Sequence, residues 1–211
     1  MLSIDVSLYV ILDRGIQDRY PIDDFTEMVI CGGATCLQVR LKNESTRGIM
    51  DFALHVLRVA RTHRVPVIIN DRVDVAMAVG ADGVHLGSDD MPLEAARRLA
   101  GDSMVLGATV RSLESAREAA SAGADYLGVG TVFATPVKPD LKPISLDILD
   151  SIRHEIRLPI VAIGGINEEN AALPLEHGAS GVAVISALRK CLDPKEAASR
   201  LRAAVDKAKE G

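Results

Sequence analysis

Val79-Gly80-Ala81-Asp82-Gly83-Val84-His85-Leu86 is the stretch on which the fold turns. It closes an amphipathic segment with a glycine and opens an apolar run with no linker between them. Glycine just past the last periodic residue is a common helix stop, because it adopts the left-handed conformation at little cost. The pattern recurs at Ala122-Gly123-Ala124-Asp125-Tyr126-Leu127 and at His177-Gly178-Ala179-Ser180-Gly181-Val182. Working outward, short apolar runs appear at regular intervals: Leu8 to Leu12, Cys36 to Val39, Val65 to Ile69, Gly83 to Leu86, Met104 to Leu106, Tyr126 to Val129, Ile160 to Ile163 and Val182 to Ile185. Most are continuous rather than alternating, as parallel strands buried on both faces require.

Helical periodicity fills the intervals. From Thr46 to His63, residues Ile49, Phe52, Ala53, Val56, Leu57 and Ala60 form one stripe. Ser112 opens another helix with a hydroxyl cap and the early acid Glu114. Pro194 to Ala208 reads as a closing helix with a polar face. Arg64-Val65-Pro66 and Arg157-Leu158-Pro159 are alternative helix exits, with proline just before the strand. Eight strand–helix units in 211 residues match a single-domain (β/α)8 barrel at its small end. A doubly wound open sheet is the alternative, but Leu12-Asp13-Arg14-Gly15 is not its Gly-rich dinucleotide turn.

Composition narrows the function. The chain is 48% hydrophobic but only 3% aromatic, with no Trp, so aliphatic residues must fill the core. It also lacks the stacking platforms of single-strand nucleic-acid binders. A net charge of −5 without a basic run speaks against nucleic acid or anionic membrane as partners. Cys31, Cys36 and Cys191 form no metal-ligand pattern and read as small, reduced core residues. No basic segment precedes an apolar N-terminal stretch and no apolar segment is long enough to span a bilayer. A cytoplasmic protein is the expectation.

In such a barrel, chemistry gathers where strands end. After the second run, alternation sets Gln38, Arg40 and Lys42 on one side, two cations and an amide suited to a polyanion. Solvated strand-end charges are the plain alternative. Asn70-Asp71-Arg72 follows the third run and Gly87-Ser88-Asp89-Asp90 the fourth. Asp71 and Asp90 are either helix N-caps or carboxylates sharing Mg²⁺ with substrate phosphate oxygens. A bare carboxylate 4 Å from a phosphate charge costs about 4 kcal/mol at an effective dielectric near 20, which a bridging dication reverses. Thr109 offers a hydroxyl after the fifth run. Gly130 to Pro143, with its three prolines, reads as a binding loop in which Thr135 and Lys138 are the ligand candidates. Gly164-Gly165 after the seventh run and Ile185-Ser186 at the end of the eighth suit a phosphate, through close backbone approach and a following helix N-terminus. His85 reads as a satisfied strand residue, and His55, His63, His154 and His177 as structural helix residues. Anion sites, carboxylates suited to Mg²⁺ and no evident nucleophile or base point to a transferase acting on a diphosphate ester as the expected activity.

The chain also resembles the thiamin phosphate synthase family over nearly its whole length. The resemblance rests on Ile69-Asn70-Asp71-Arg72-Val73-Asp74, on Gly80 through Pro92, on Gln38-x-Arg40-x-Lys42, on Thr135-Pro136-x-Lys138 and on Ile163-Gly164-Gly165-Ile166. It implies a (β/α)8 barrel that joins 4-amino-2-methyl-5-hydroxymethylpyrimidine diphosphate to 4-methyl-5-hydroxyethylthiazole phosphate, giving thiamin phosphate and diphosphate. It implies Mg²⁺ on Asp71 and Asp90. Gln38, Arg40, Lys42, Asn70, Thr109 and Lys138 would contact the pyrimidine diphosphate, with Arg40, Lys42 and Lys138 as the catalytic cations. Thr135, Gly165, Ile185 and Ser186 would surround the thiazole phosphate. The implied mechanism releases diphosphate first and lets the thiazole nitrogen capture the carbocation. Leu41 replaces a frequent Glu, Val137 a common Thr, and Ala108-Thr109 a frequent Val-Ser. Two rival readings are a thiazole tautomerase, which would not need the paired carboxylates, and a non-catalytic phosphate-ligand binder. A homo-oligomer is compatible with the sequence.

Overall fold

A computed structural model describes residues 4–135 and 140–210. Lys138, with Pro136, Val137 and Pro139, lies outside the described residues. Eight parallel strands close into a barrel in sequence order: β1 Leu8–Leu12, β2 Cys36–Val39, β3 Val67–Asn70, β4 Gly83–Leu86, β5 Val105–Val110, β6 Tyr126–Gly130, β7 Ile160–Ile163 and β8 Gly181–Val184, with β8 pairing back onto β1. Around it run α1 Ile22–Cys31, α2 Thr46–His63, α3 Val73–Val79, α4 Leu93–Ala100, α5 Leu113–Ser121, α6 Asp147–Glu155, α7 Ala172–Glu176, the short α8 Ser186–Arg189 and α9 Pro194–Glu210. The single-domain (β/α)8 architecture is the one the apolar runs predict. The expected third run starts too early, because Val65 and Pro66 leave α2 before the ladder begins at Val67.

Local chemistry explains the boundaries. Ser45 caps α2 by accepting from the Gly48 N–H at 3.1 Å, and Ser112 and Ser115 form a capping box at the start of α5. The repeated glycine does more than stop helices. Gly80, Gly123 and Gly178 all have positive φ, between 66° and 90°. The polar residue two places on then stitches to the first or second residue of the preceding strand. Asp82 accepts from the Val67 N–H at 2.8 Å, Asp125 from Leu106 at 2.9 Å and Ser180 from Ile160 at 3.2 Å. In each case the polar residue's own N–H returns a bond to that residue's carbonyl. Gly33-Ala34-Thr35 is a fourth copy: φ of Gly33 is 103°, and Thr35 Oγ1 accepts from Leu8 at 3.0 Å. The device therefore joins β1 to β2, β3 to β4, β5 to β6 and β7 to β8 at the N-terminal rim.

The core is double. Outward strand residues such as Leu37, Ile69, Leu106 and Leu127 pack against the helices in one continuous layer. Inside the barrel a smaller cluster contains Val6, Tyr9, Ile11, Cys36, Ile68, Val105, Tyr126, Val161 and Ala183. The cysteine expectation needs correcting. Cys36 is buried there, but Cys31 is exposed and Cys191 half-buried. Cys31 ends α1 on its outer face, beside Glu27, so its apolar sequence neighbours do not make it a core residue.

Candidate active site

A cavity of about 410 Å³ opens at the C-terminal ends of the strands. Gln38, Arg40, Lys42, Asn70, Asp71, Asp90, Thr109, Thr135, Gly165, Ile185 and Ser186 all line it. Every described candidate thus shares one space. Strand geometry delivers them. Gln38 and Thr109 point inward from β2 and β5, and Asn70 ends β3. Thr109 lies within β5 rather than beyond it, because the strand continues to Val110.

Neither carboxylate is a helix cap. The N-cap positions of α3 and α4 are Arg72 and Pro92, and neither makes a side-chain cap bond. Asp71 instead holds a left-handed backbone, φ 66°, while its N–H donates to the His85 carbonyl at 2.8 Å. That turn throws its side chain toward Lys42, with which it is ion-paired. Asp90 Oδ2 accepts from the Gly87 N–H at 2.7 Å. The two carboxylates face each other across neighbouring strands, close enough to share a hydrogen bond. Burial and the Asp71 carboxylate together hold Asp90 above the usual carboxylate range. For Asp71, burial pushes upward, but the Lys42 hydrogen bond and the Asp90 contact outweigh it and the group is lowered.

The anion-binding reading of the paired glycines changes in detail. Gly164 and Gly165 have φ of 105° and 66°. A Cβ on Gly164 would lie 1.7 Å from Thr131 Oγ1, and one on Gly165 would lie 2.5 Å from the Ala134 carbonyl oxygen. Packing against the loop after β6 therefore demands both glycines, whatever binds there. The helix expected directly after them begins only at Ala172, beyond an Asn167–Asn170 turn. On the next strand, Ser186 opens the extra helix α8, the position in this architecture that commonly borders a phosphate. Asp13 and Arg189, 2.8 Å apart, tie the first loop to α8.

Several lining residues escape a reading of strand ends. Tyr9 and Tyr126 sit on the cavity floor, joined by hydrogen bonds to Gln38 and His85. Burial raises both phenols well above the ordinary range, so they stay protonated. His85 is hydrogen-bonded through both ring nitrogens, as expected, but it lies in the cavity. Arg111 lines the wall and is engaged with the Gly130 and Lys142 carbonyls at 2.9 and 2.7 Å. Inward polar residues inside continuous apolar runs leave no periodic signal, because both faces of these strands are buried. Asp147, Asp150 and His177, whose ligand atoms lie within 4.8 Å of one another, sit outside this cavity on the helical layer. His55, His63 and His177 pair with Asp23, Glu27 and Asp150, consistent with structural roles. No helix among the described residues is long and apolar enough to cross a membrane.

A family model described as thiamine monophosphate synthase matches residues 8–188. The thiamine-phosphate synthase of Chloroflexus aurantiacus is 49% identical, covering 96% of this chain and 94% of its own. That of Clostridium novyi is 46% identical, covering 95% and 98%. The solved structure of the thiamine phosphate pyrophosphorylase from Pyrococcus furiosus superposes with a TM-score of 0.88 at 40% identity, covering 97% of each chain. Barrel, mouth and sequence agree that the chain belongs to the thiamine monophosphate synthase family, transferases of thiamine biosynthesis.

Proposed function

We propose that the protein condenses 4-amino-2-methyl-5-hydroxymethylpyrimidine diphosphate with 4-methyl-5-hydroxyethylthiazole phosphate to give thiamin phosphate and diphosphate. The observation that carries this reading is the convergence of Arg40, Lys42, Asp71 and Asp90 on one rim of one cavity, in a chain of this family. The rim fits Mg²⁺. Two hard carboxylates from adjacent strands face each other, the burial of Asp90 and its repulsion from Asp71 favour a cation between them, and the Lys42 ammonium already rests on Asp71. Asp71 and Asp90 would hold the ion, which when bound supplies charge neutralisation for the diphosphate.

The chain's own residues do the rest. Arg40 and Lys42 face the diphosphate and stabilise negative charge as the pyrimidine methylene C–O bond breaks. The electron pair leaves on the diphosphate and the carbocation remains on the methylene carbon, delocalised into the pyrimidine ring. Gln38 and Asn70 orient the pyrimidine, and Thr109 adds a hydroxyl. Thr135, Gly165, Ile185 and Ser186 seat the thiazole phosphate so that the ring nitrogen lone pair forms the new C–N bond. The positive charge ends on the thiazolium. No proton is removed, which accounts for a cavity whose only imidazole among the described residues, His85, is bonded through both nitrogens. Lys138 is proposed as a further diphosphate cation. Incubating purified protein with both substrates and Mg²⁺ tests the reading: diphosphate and thiamin phosphate should appear in equal amounts and stop on chelation. Isomerised thiazole phosphate without diphosphate would replace it with a tautomerase.

A further inference from the structure

Five side chains from five strands form one continuous hydrogen-bonded chain across the cavity floor. Gln38 Nε2 donates to the Tyr9 hydroxyl at 2.9 Å; the Tyr9 and Tyr126 hydroxyls are 2.8 Å apart; Tyr126 is 2.9 Å from His85 Nδ1; and His85 Nε2 is 2.8 Å from Thr109 Oγ1. Space is cleared for it. A Cβ on Gly107 would lie 2.1 Å from the Tyr126 ring, and one on Gly128 would lie 2.8 Å from the His85 ring. Two glycines in adjacent strands therefore make room for two of the three polar rings inside the barrel.

Each phenol has one proton, so the chain has a direction. Tyr9 already accepts from Gln38. If Tyr126 also donated to Tyr9, the Tyr9 proton would be left with the Cys36 sulfur beside it, a weak acceptor. With Tyr9 donating to Tyr126, every strong donor meets a strong acceptor: Tyr126 donates to His85 Nδ1, and His85 Nε2–H donates to Thr109. The Thr109 oxygen is then an acceptor toward His85, and its own proton turns to the cavity. At the other end Gln38, its amide nitrogen engaged, turns its carbonyl oxygen to the cavity. Burial keeps both phenols neutral, as the scheme requires.

We propose that Tyr9, Tyr126 and His85 are positioning residues that hold His85 as the Nε2–H tautomer and so present Gln38 as an acceptor and Thr109 as a donor to the substrate. The substrate part rests on the proposed function, in which Gln38 and Thr109 touch the pyrimidine diphosphate. The selected ligand carries a hydrogen-bond donor toward β2 and an acceptor oxygen toward β5.

Nitrogen-15 NMR of the free protein tests the direction without any assumption about activity. His85 Nδ1 should give a pyridine-type signal and Nε2 a pyrrole-type signal, and Tyr126→Phe should shift the Nδ1 signal. A pyrrole-type Nδ1 overturns the proposal. Kinetics test the role: Tyr126→Phe should lower kcat/KM for the pyrimidine substrate by about tenfold, the scale of one directed hydrogen bond. His85→Gln keeps an acceptor and a donor in the same order, so it should stay within about threefold of wild type, whereas His85→Leu should lose at least about tenfold. Equal losses in the Gln and Leu variants, or wild-type kinetics in Tyr126→Phe, overturn the positioning role. A wild-type protein with the expected tautomer but no condensation overturns the proposed function and leaves the chain's direction standing.

Discussion

Asp71 occupies a backbone conformation that few side chains tolerate, φ 66°, and asparagine is among those few. Asp71→Asn therefore isolates charge from shape. Turnover in the presence of Mg²⁺ should fall by about a hundredfold or more, in the range of removing one electrostatic stabiliser, with a melting temperature close to wild type. Turnover unchanged across a Mg²⁺ titration would remove Asp71 from the metal site. Asp71, Asp90, Arg40 and Lys42 were legible as candidates because charged residues within a few places of the end of an apolar run stand out against their neighbours. Tyr9, Tyr126 and His85 were not, because in a strand buried on both faces an inward residue and an outward one have the same sequence surroundings. The paired glycines were legible as a turn, whereas their contact with Thr131 and Ala134 depends on a loop from another strand.

Among elements, the Gly-Ala-polar corners decide stability. Asp125 is buried and pairs with Arg97 at 2.6 Å while holding the Leu106 N–H. Asp125→Ala should cost about 3 kcal/mol, the scale for breaking a buried ion pair, and denaturant unfolding should report it without a change in KM. Three of the four corners could be read as helix stops. Their hydrogen bonds to the preceding strand could not, since strand pairing is non-local. The α6–α7 edge adds a pH-dependent element. The Asp150 carboxylate, 2.6 Å from His177 Nδ1, raises the imidazole above its ordinary value of 6.5. The folded state thus binds the proton more tightly than the unfolded chain. The contribution is complete below pH 6.5 and is lost as pH rises through the raised folded value. The pair is solvent-exposed, so the effect is at most about 1 kcal/mol. Melting curves of wild type and His177→Gln should converge above that range and separate below it.

For the molecule as a whole, the two cores divide the labour. The outer layer between strands and helices carries most of the apolar burial, while the inner cluster supports the floor of the cavity. Leu106→Ala, at a fully buried outer position, should destabilise by about 3 kcal/mol and lower the melting temperature by roughly 6–12 °C for a chain this size. Whole-barrel architecture was readable because continuous apolar runs recurred eight times with helices between them. Closure itself, β8 onto β1, followed only from the count.

The four corners at the N-terminal rim also bear on ancestry. Thr35, Asp82, Asp125 and Ser180 repeat at every second stave, and none borders the cavity. The barrel is thereby clasped in four quarters, each a pair of staves joined by its own polar residue. Duplication or exchange of a quarter would preserve the clasp while leaving the opposite end free to diverge into new chemistry.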